Sequence, residues 1–135
     1  MSNIELLERT LPVAPLKIVA MESCRGLGQK VNDYIVSFRE NTINEVSESS
    51  LYVNYKSNNY LVDCCCPRFG TGEAKGILRE TIRGTDLFIM TDVCNYSLTY
   101  TVSGHLNHMS PDDHYQDLKR IISAATGKAK RINVI

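Results

Sequence analysis

Three short apolar runs, set far apart and separated by segments of helical period, constrain the fold of this chain more than any other feature. They are Leu16–Met21, Leu87–Met90 and the stretch beginning at Arg131 and running to Ile135. A continuous apolar run of this length reads as a strand buried on both faces, the signature of a parallel sheet covered by helices. Between the first two runs, Ser23 offers a helix cap, and Leu27, Val31, Ile35 and Phe38 recur at third- and fourth-residue steps. Gly26 and Gly28 weaken the first turn of that helix. Between the last two runs, Ser110-Pro111-Asp112-Asp113 combines a capping serine, a proline at the first helical position and two carboxylates facing the helix dipole. Tyr115, Leu118, Ile122 and Ala125 continue the helical step, and Gly127 is placed to end it.

The intervening segments read differently. Ser2 or Asn3 caps an expected short helix over Ile4–Arg9, which ends by Pro12. Glu40 to Ser50 is polar and aperiodic, and reads as a loop. Residues 51–57 and 59–66 flank a Ser57-Asn58-Asn59 turn and predict a β-hairpin. Glu73 to Glu80 alternates weakly as a strand, and Arg83-Gly84-Thr85-Asp86 is turn chemistry before the strand Leu87–Met90. Thr91 to Met109 reads as a long loop of polar and aromatic content. Parallel neighbours joined by right-handed crossovers follow from this order. The expected fold is an α/β sandwich with an antiparallel hairpin excursion, incomplete at its C-terminal side.

Charge and cysteine content narrow the function classes. Fifteen basic residues balance fifteen acidic ones. That balance gives no support to nucleic acid or a membrane surface as partner. The N-terminus lacks the basic-then-apolar pattern of a signal peptide, and no apolar run is long enough to span a bilayer, so a cytoplasmic protein is expected. Five cysteines, an odd number, argue against a disulfide framework. Adjacent residues of a strand face opposite ways, so of Cys64-Cys65-Cys66 only Cys64 and Cys66 could share a ligand. Buried, reduced strand thiols are the simpler reading. His105, His108 and His114, with Asp112 and Asp113 nearby, are weighed as a metal site against solvated loop histidines, and the latter is preferred. Gly26-Leu27-Gly28 lacks the third glycine of a dinucleotide fingerprint.

Ordered motifs bring in a family. Leu16 to Phe38 supplies an opening strand and helix; Arg68-Phe69-Gly70-Thr71-Gly72-Glu73 follows, then Glu80-Thr81-Ile82-Arg83-Gly84 before an apolar strand. Ser123-Ala124-Ala125-Thr126-Gly127 and Lys130-Arg131-Ile132 close the series. Together they resemble the N-terminal domain of ribose-phosphate pyrophosphokinases, whose motifs read Arg-Phe-Ser-Asp-Gly-Glu and Glu-Ser-Val-Arg-Gly in the same order. The resemblance implies a single N-terminal pyrophosphokinase-like domain over 1–135, partly like the three-layer phosphoribosyltransferase sandwich. Within it, 16–39 is strand and helix, 40–63 an apparent insertion, 64–90 strands and 110–135 helix and strand.

By that resemblance the parent enzyme, a magnesium-dependent transferase of nucleotide biosynthesis, converts ATP and ribose 5-phosphate to phosphoribosyl pyrophosphate and AMP. Phe69 would stack on adenine and Glu73 would accept from its exocyclic amine, as part of a site shared with a neighbouring subunit. Thr71 stands where the family carries aspartate or asparagine, and it offers a hydroxyl alone. Phe69 as a core or subunit contact and Glu73 as a solvated residue are the structural alternatives. Thr81 and Arg83 would belong to a regulatory nucleotide or phosphate site, against the alternative that Arg83 pairs with a carboxylate such as Asp86. The small-molecule partners that the resemblance implies are ATP or ADP and ribose 5-phosphate. The segment Asp92–Met109 departs from the family's short Cys-Ala-Pro-Thr-Asn-Asp type turn. The family's ATP-binding arginine loop, metal-contacting histidine, mobile basic loop and phosphoribosyl-binding loop have no match in these residues. Three expectations follow: a domain that supplies subunit contacts and part of the nucleotide sites, no turnover by these residues alone, and a homo-oligomer. A non-enzymatic assembly module related to these kinases is the alternative, and an unrelated small-ligand α/β domain is a third reading.

Overall fold

The computed structural model describes residues 12–43 and 56–135. The expected helix over Ile4–Arg9 and the first strand of the expected hairpin (51–55 of it) lie outside the described residues.

The three apolar runs form one parallel sheet. Strand β1 (Leu16–Ala20) pairs with β4 (Asp86–Met90), and β4 pairs with β7 (Arg131–Val134). Between them lie β2 (Cys64–Cys65), β3 (Ile77–Leu78), β5 (Thr99–Val102) and β6 (His105–His108). Helix α1 (Arg25–Ile43) follows a single 3-10 turn, Glu22–Cys24, and α2 (Pro111–Ala125) precedes β7. Alternation along the strands sorts the core into two layers. Ile18 and Met90 face Val31, Ile35 and Val36 of α1, whereas Val19, Leu87 and Ile89 face Leu118, Ile121 and Ala125 of α2. Helices therefore cover opposite faces, and the architecture is the expected three-layer α/β sandwich with antiparallel excursions.

The reason for the opposite faces is a short extension at the outer edge of β1. Ile18 accepts from Val62 N and donates to Tyr60 O, both at 2.8 Å, and Leu61 bridges Ile18 in parallel. The chain first moves from β1 to this edge over α1, then crosses back to β4 on the other side. Right-handed crossovers in opposite directions place their helices on opposite faces. The winding reverses between β1 and β4, where an open α/β sheet leaves a crevice beyond its carboxyl ends. Loops from both strands meet there: Met21 N donates to Met90 O at 3.0 Å and Asp92 N to Ser23 Oγ at 2.9 Å.

Several sequence expectations need correction. The expected loop from Glu40 begins late, since α1 continues to Ile43. Glu73 to Glu80 holds only the Ala74 bridge and the two-residue β3. Cys64–Cys65 pairs antiparallel with Ile77–Leu78. Thr91 to Met109 is no plain loop: it carries the hairpin β5–β6, turned at Ser103 and Gly104, which both have positive φ (51° and 81°). That is the backbone a two-residue hairpin turn demands, and Ser103-Gly104 between alternating residues was its signal. The buried helix faces are also rotated. On α1, Leu27 is 56% exposed while Asn32 is buried; on α2, Tyr115 is 54% exposed while His114 and Asp117 are buried beside Leu118 and Ile121. Asn32 is drawn inward because its Oδ1 accepts from Tyr60 N at 2.8 Å, which satisfies the edge extension.

Candidate functional site

The Arg68–Glu73 motif folds as a small hairpin. Arg68 and Ala74 form an antiparallel bridge, Phe69 N donates to Glu73 O at 2.7 Å, and Gly72 N to Phe69 O at 2.9 Å. Gly72 sits at φ 88°, a conformation that favours glycine. Cross-strand alternation then divides the side chains. Arg68 and Ala74 turn inward, and Phe69 and Glu73 share the outward face. Phe69 is 51% exposed, and Thr71 and Glu73 are exposed. The Thr71 hydroxyl is turned back on the loop, where Glu73 N donates to Oγ1 at 3.5 Å. Phe69 is therefore not a core residue, and Glu73 is exposed beside it.

Arg68 anchors the hairpin. Its Nη2 donates to Asp117 Oδ2 of α2 at 2.9 Å, and its guanidinium lies 4.6 Å above the Tyr100 ring of β5. Arg120 Nη1 binds the other oxygen of Asp117 at 2.6 Å. Burial holds the Asp117 carboxyl above its ordinary range despite the two guanidinium groups, which pull it down. The tip is also tied to β5–β6, since Ser103 Oγ donates to Gly70 O at 3.4 Å. A cavity of about 70 Å³ lies beneath, lined by Cys64, Cys66, Arg68, Tyr100, His114 and Asp117 among others. Asp117, Arg120 and Tyr100 were missed by the sequence reading. The available signal was Asp117 itself, a carboxylate directly beside Leu118 in an otherwise apolar helical stripe.

The second motif stands at the other end of the sheet. It precedes the first residue of β4, whereas the Phe69 hairpin touches the β-ribbon that follows the last. Thr81 and Arg83 are exposed, and Thr81 Oγ1 accepts from Arg83 N at 3.4 Å. Ile82 between them is buried. Gly84 N donates to Lys128 O at 2.9 Å, so the glycine amide serves the α2–β7 connection. Asp86 binds Arg131 and Asn133, and no ion pair among the described residues involves Arg83.

The remaining candidates separate. His105 and His108 are exposed on the ribbon, and His108 stacks on Tyr96 with ring centroids 4.7 Å apart. His114 is buried, with Nε2 donating to Asn95 O at 2.5 Å, which corrects its expected place among solvated histidines. Among the described residues no group of three or more His, Cys, Asp or Glu is placed to hold a metal ion. All five thiols are free. Burial pushes Cys64 up to about 11 and Cys66 up to about 12, which favours the protonated thiol of both at neutral pH. Cys94 is exposed.

An open, mostly parallel α/β sandwich, with loops gathered at its switch point and an exposed aromatic–carboxylate hairpin beside them, defines the class. The chain matches the model of the N-terminal domain of ribose phosphate pyrophosphokinase over residues 16–135, and it belongs to that family. No curated protein and no solved structure matches it. Among the described residues, no helix is long and apolar enough to cross a membrane.

Proposed function

We propose that this domain serves the transfer of pyrophosphate from ATP to ribose 5-phosphate by supplying one wall of an adenine site and contacts between subunits. The observation that carries this reading is the shared outward face of Phe69 and Glu73. A half-exposed ring can stack on a purine, and the adjacent carboxylate can accept from the exocyclic amine. The Thr71 hydroxyl adds an acceptor at the tip. Stabilisation of charge on the phosphates belongs to cationic loops with no counterpart in these residues, so the 135-residue chain binds nucleotide without turnover. The magnesium ion would come with the ATP phosphates. Thr81 and Arg83, exposed at the opposite end of the sheet, suit a separate regulatory phosphate, which titration with inorganic phosphate against Arg83→Gln would test.

Calorimetric titration with ATP tests the adenine site. Phe69→Ala is expected to weaken binding about tenfold, within the range for loss of one base–aromatic stack. Glu73→Gln should reduce the preference for ATP over GTP. Equal affinities for all three proteins would sink the reading.

The outer edge of β7 has no strand partner among the described residues, and Val134 and Ile135 beside it are exposed. Such an edge is a template for pairing. Self-association of the 135-residue protein through it is the expected result of sedimentation at rising concentration, and a strictly monomeric profile would contradict it.

A further inference from the structure

We infer that Asp117 is a positioning residue for the Phe69–Glu73 hairpin and acts through Arg68. The inference deepens the adenine reading, and its nucleotide half rests on that reading.

The hairpin has few ties of its own. Its backbone bonds join residues 67–75 to one another, and Gly70 O is the acceptor of one long bond from Ser103. Arg68 is its buried strut: the side chain is 10% exposed and Asp117 is 7% exposed. Because Arg68 and Ala74 are bridge partners, holding Arg68 sets the plane of the pair. Phe69 and Glu73 are the next residues outward on the two arms, so their direction follows from it. Asp117 can do this because its own carboxylate does not rotate freely. One oxygen is held by Arg68 and the other by Arg120, and Tyr100 closes the far side of the Arg68 guanidinium. A charge-assisted bond with a fixed acceptor and a ring above the donor orients a planar guanidinium far better than a surface pair does.

Helix α2 grips the same excursion a second time. A Cβ placed on Gly76 would lie 2.6 Å from the backbone carbon and oxygen of Arg120, so the chain passes directly against the helix there. The helix thus serves as the platform, with Gly76 setting the approach and Asp117 setting the angle of the hairpin. A substitution of the buried Asp117 is then felt at Phe69 through Arg68.

Hydrogen exchange of single amides in the 135-residue protein, read beside ATP titration, tests this. Asp117→Asn should speed exchange at the Phe69 and Gly72 amides about tenfold, the loss of one charge-assisted tie, while Leu87 and Ile89 in β4 keep their protection. ATP affinity should fall by a similar factor. Asp117→Glu keeps the charge and should recover part of both effects. Unchanged exchange at the hairpin, or equal acceleration of hairpin and sheet, overturns the inference. Should Asp117→Asn fail to fold, Tyr100→Leu probes the same strut from its other side, with the same two outcomes. If wild type and Phe69→Ala bind ATP equally, the adenine reading fails, and the exchange result still decides whether Asp117 sets the hairpin.

Discussion

Asp86 and Arg131 stand directly opposite each other in the register of β4 and β7, and the guanidinium grips both carboxylate oxygens. Nε lies 2.8 Å from Oδ1 and Nη2 2.5 Å from Oδ2, with Asn133 Nδ2 adding a third donor at 2.9 Å. A one-residue slip of β7 would break all three bonds and turn Ile132 from the α2 core towards the opposite face. The pair therefore specifies register as well as adding stability.

The same pair gives a pH dependence with a definite sign. The bonds from Arg131, then Asn133, hold the Asp86 carboxyl below its reference value of 3.8, against the opposing effect of burial. Its stabilisation is therefore complete above 3.8 and is lost as pH falls through the lower folded value. Asp86→Asn should cost about 1 kcal/mol at neutral pH, a modest figure because Arg131 is largely solvated. Urea unfolding from neutral to strongly acid pH should show the gap between wild type and variant closing as the carboxylate protonates. A gap of constant size would refute the assignment. Asp117 contributes the opposite slope. Its folded value is raised, chiefly by burial, so its share of stability declines as pH rises from 3.8 through that value.

Two glycines in the first turn of α1 should respond in opposite directions to alanine. Nothing lies within 4 Å of a Cβ on Gly26, whereas a Cβ on Gly28 would meet Ala20 Cβ at 2.2 Å. Gly26→Ala should stabilise by roughly 0.5–1 kcal/mol through helix propensity and a less mobile unfolded chain. Gly28→Ala must push α1 away from β1, and a loss of about 1–3 kcal/mol is expected. Denaturant midpoints of the two variants check this, and stabilisation by both would show that helix propensity alone governs the turn.

Thiol reactivity should divide the cysteines by burial. At pH 8 a thiol titrating at about 11, as Cys64 does, is ionised to roughly one part in a thousand. Cys94, on the surface, should react first with a disulfide reagent, while Cys64 and Cys66 react only after unfolding. Peptide mapping of the first-labelled residue decides it. Early labelling of Cys64 would mean that β2 opens readily, and early labelling of Cys66 that the chain just after it does.

The residues that were legible in the chain are those whose partners are near in sequence. Ser110 illustrates this: its hydroxyl accepts from Asp113 N, and the Asp113 carboxylate accepts from Ser110 N, a capping box written into four consecutive residues. The three apolar strands, the two helices and the order of the motifs were readable for the same reason, and that order was enough to indicate the family. What could not be read was the direction each element faces. Apolar count placed Leu27 and Tyr115 inside; the structure turns them out because Asn32, His114 and Asp117 have buried hydrogen-bond partners elsewhere in the chain.

The sequence alone thus determined the succession of strands and helices, since strand runs, caps and turn residues act over a few neighbours. The tertiary structure decided which carboxylate each arginine holds. Arg68 meets Asp117 across 49 residues and Arg131 meets Asp86 across 45. Buried charge selects its partner by distance and desolvation after the chain has folded, and no local pattern carries that choice. The outward display of Phe69 and Glu73 depends on one such choice.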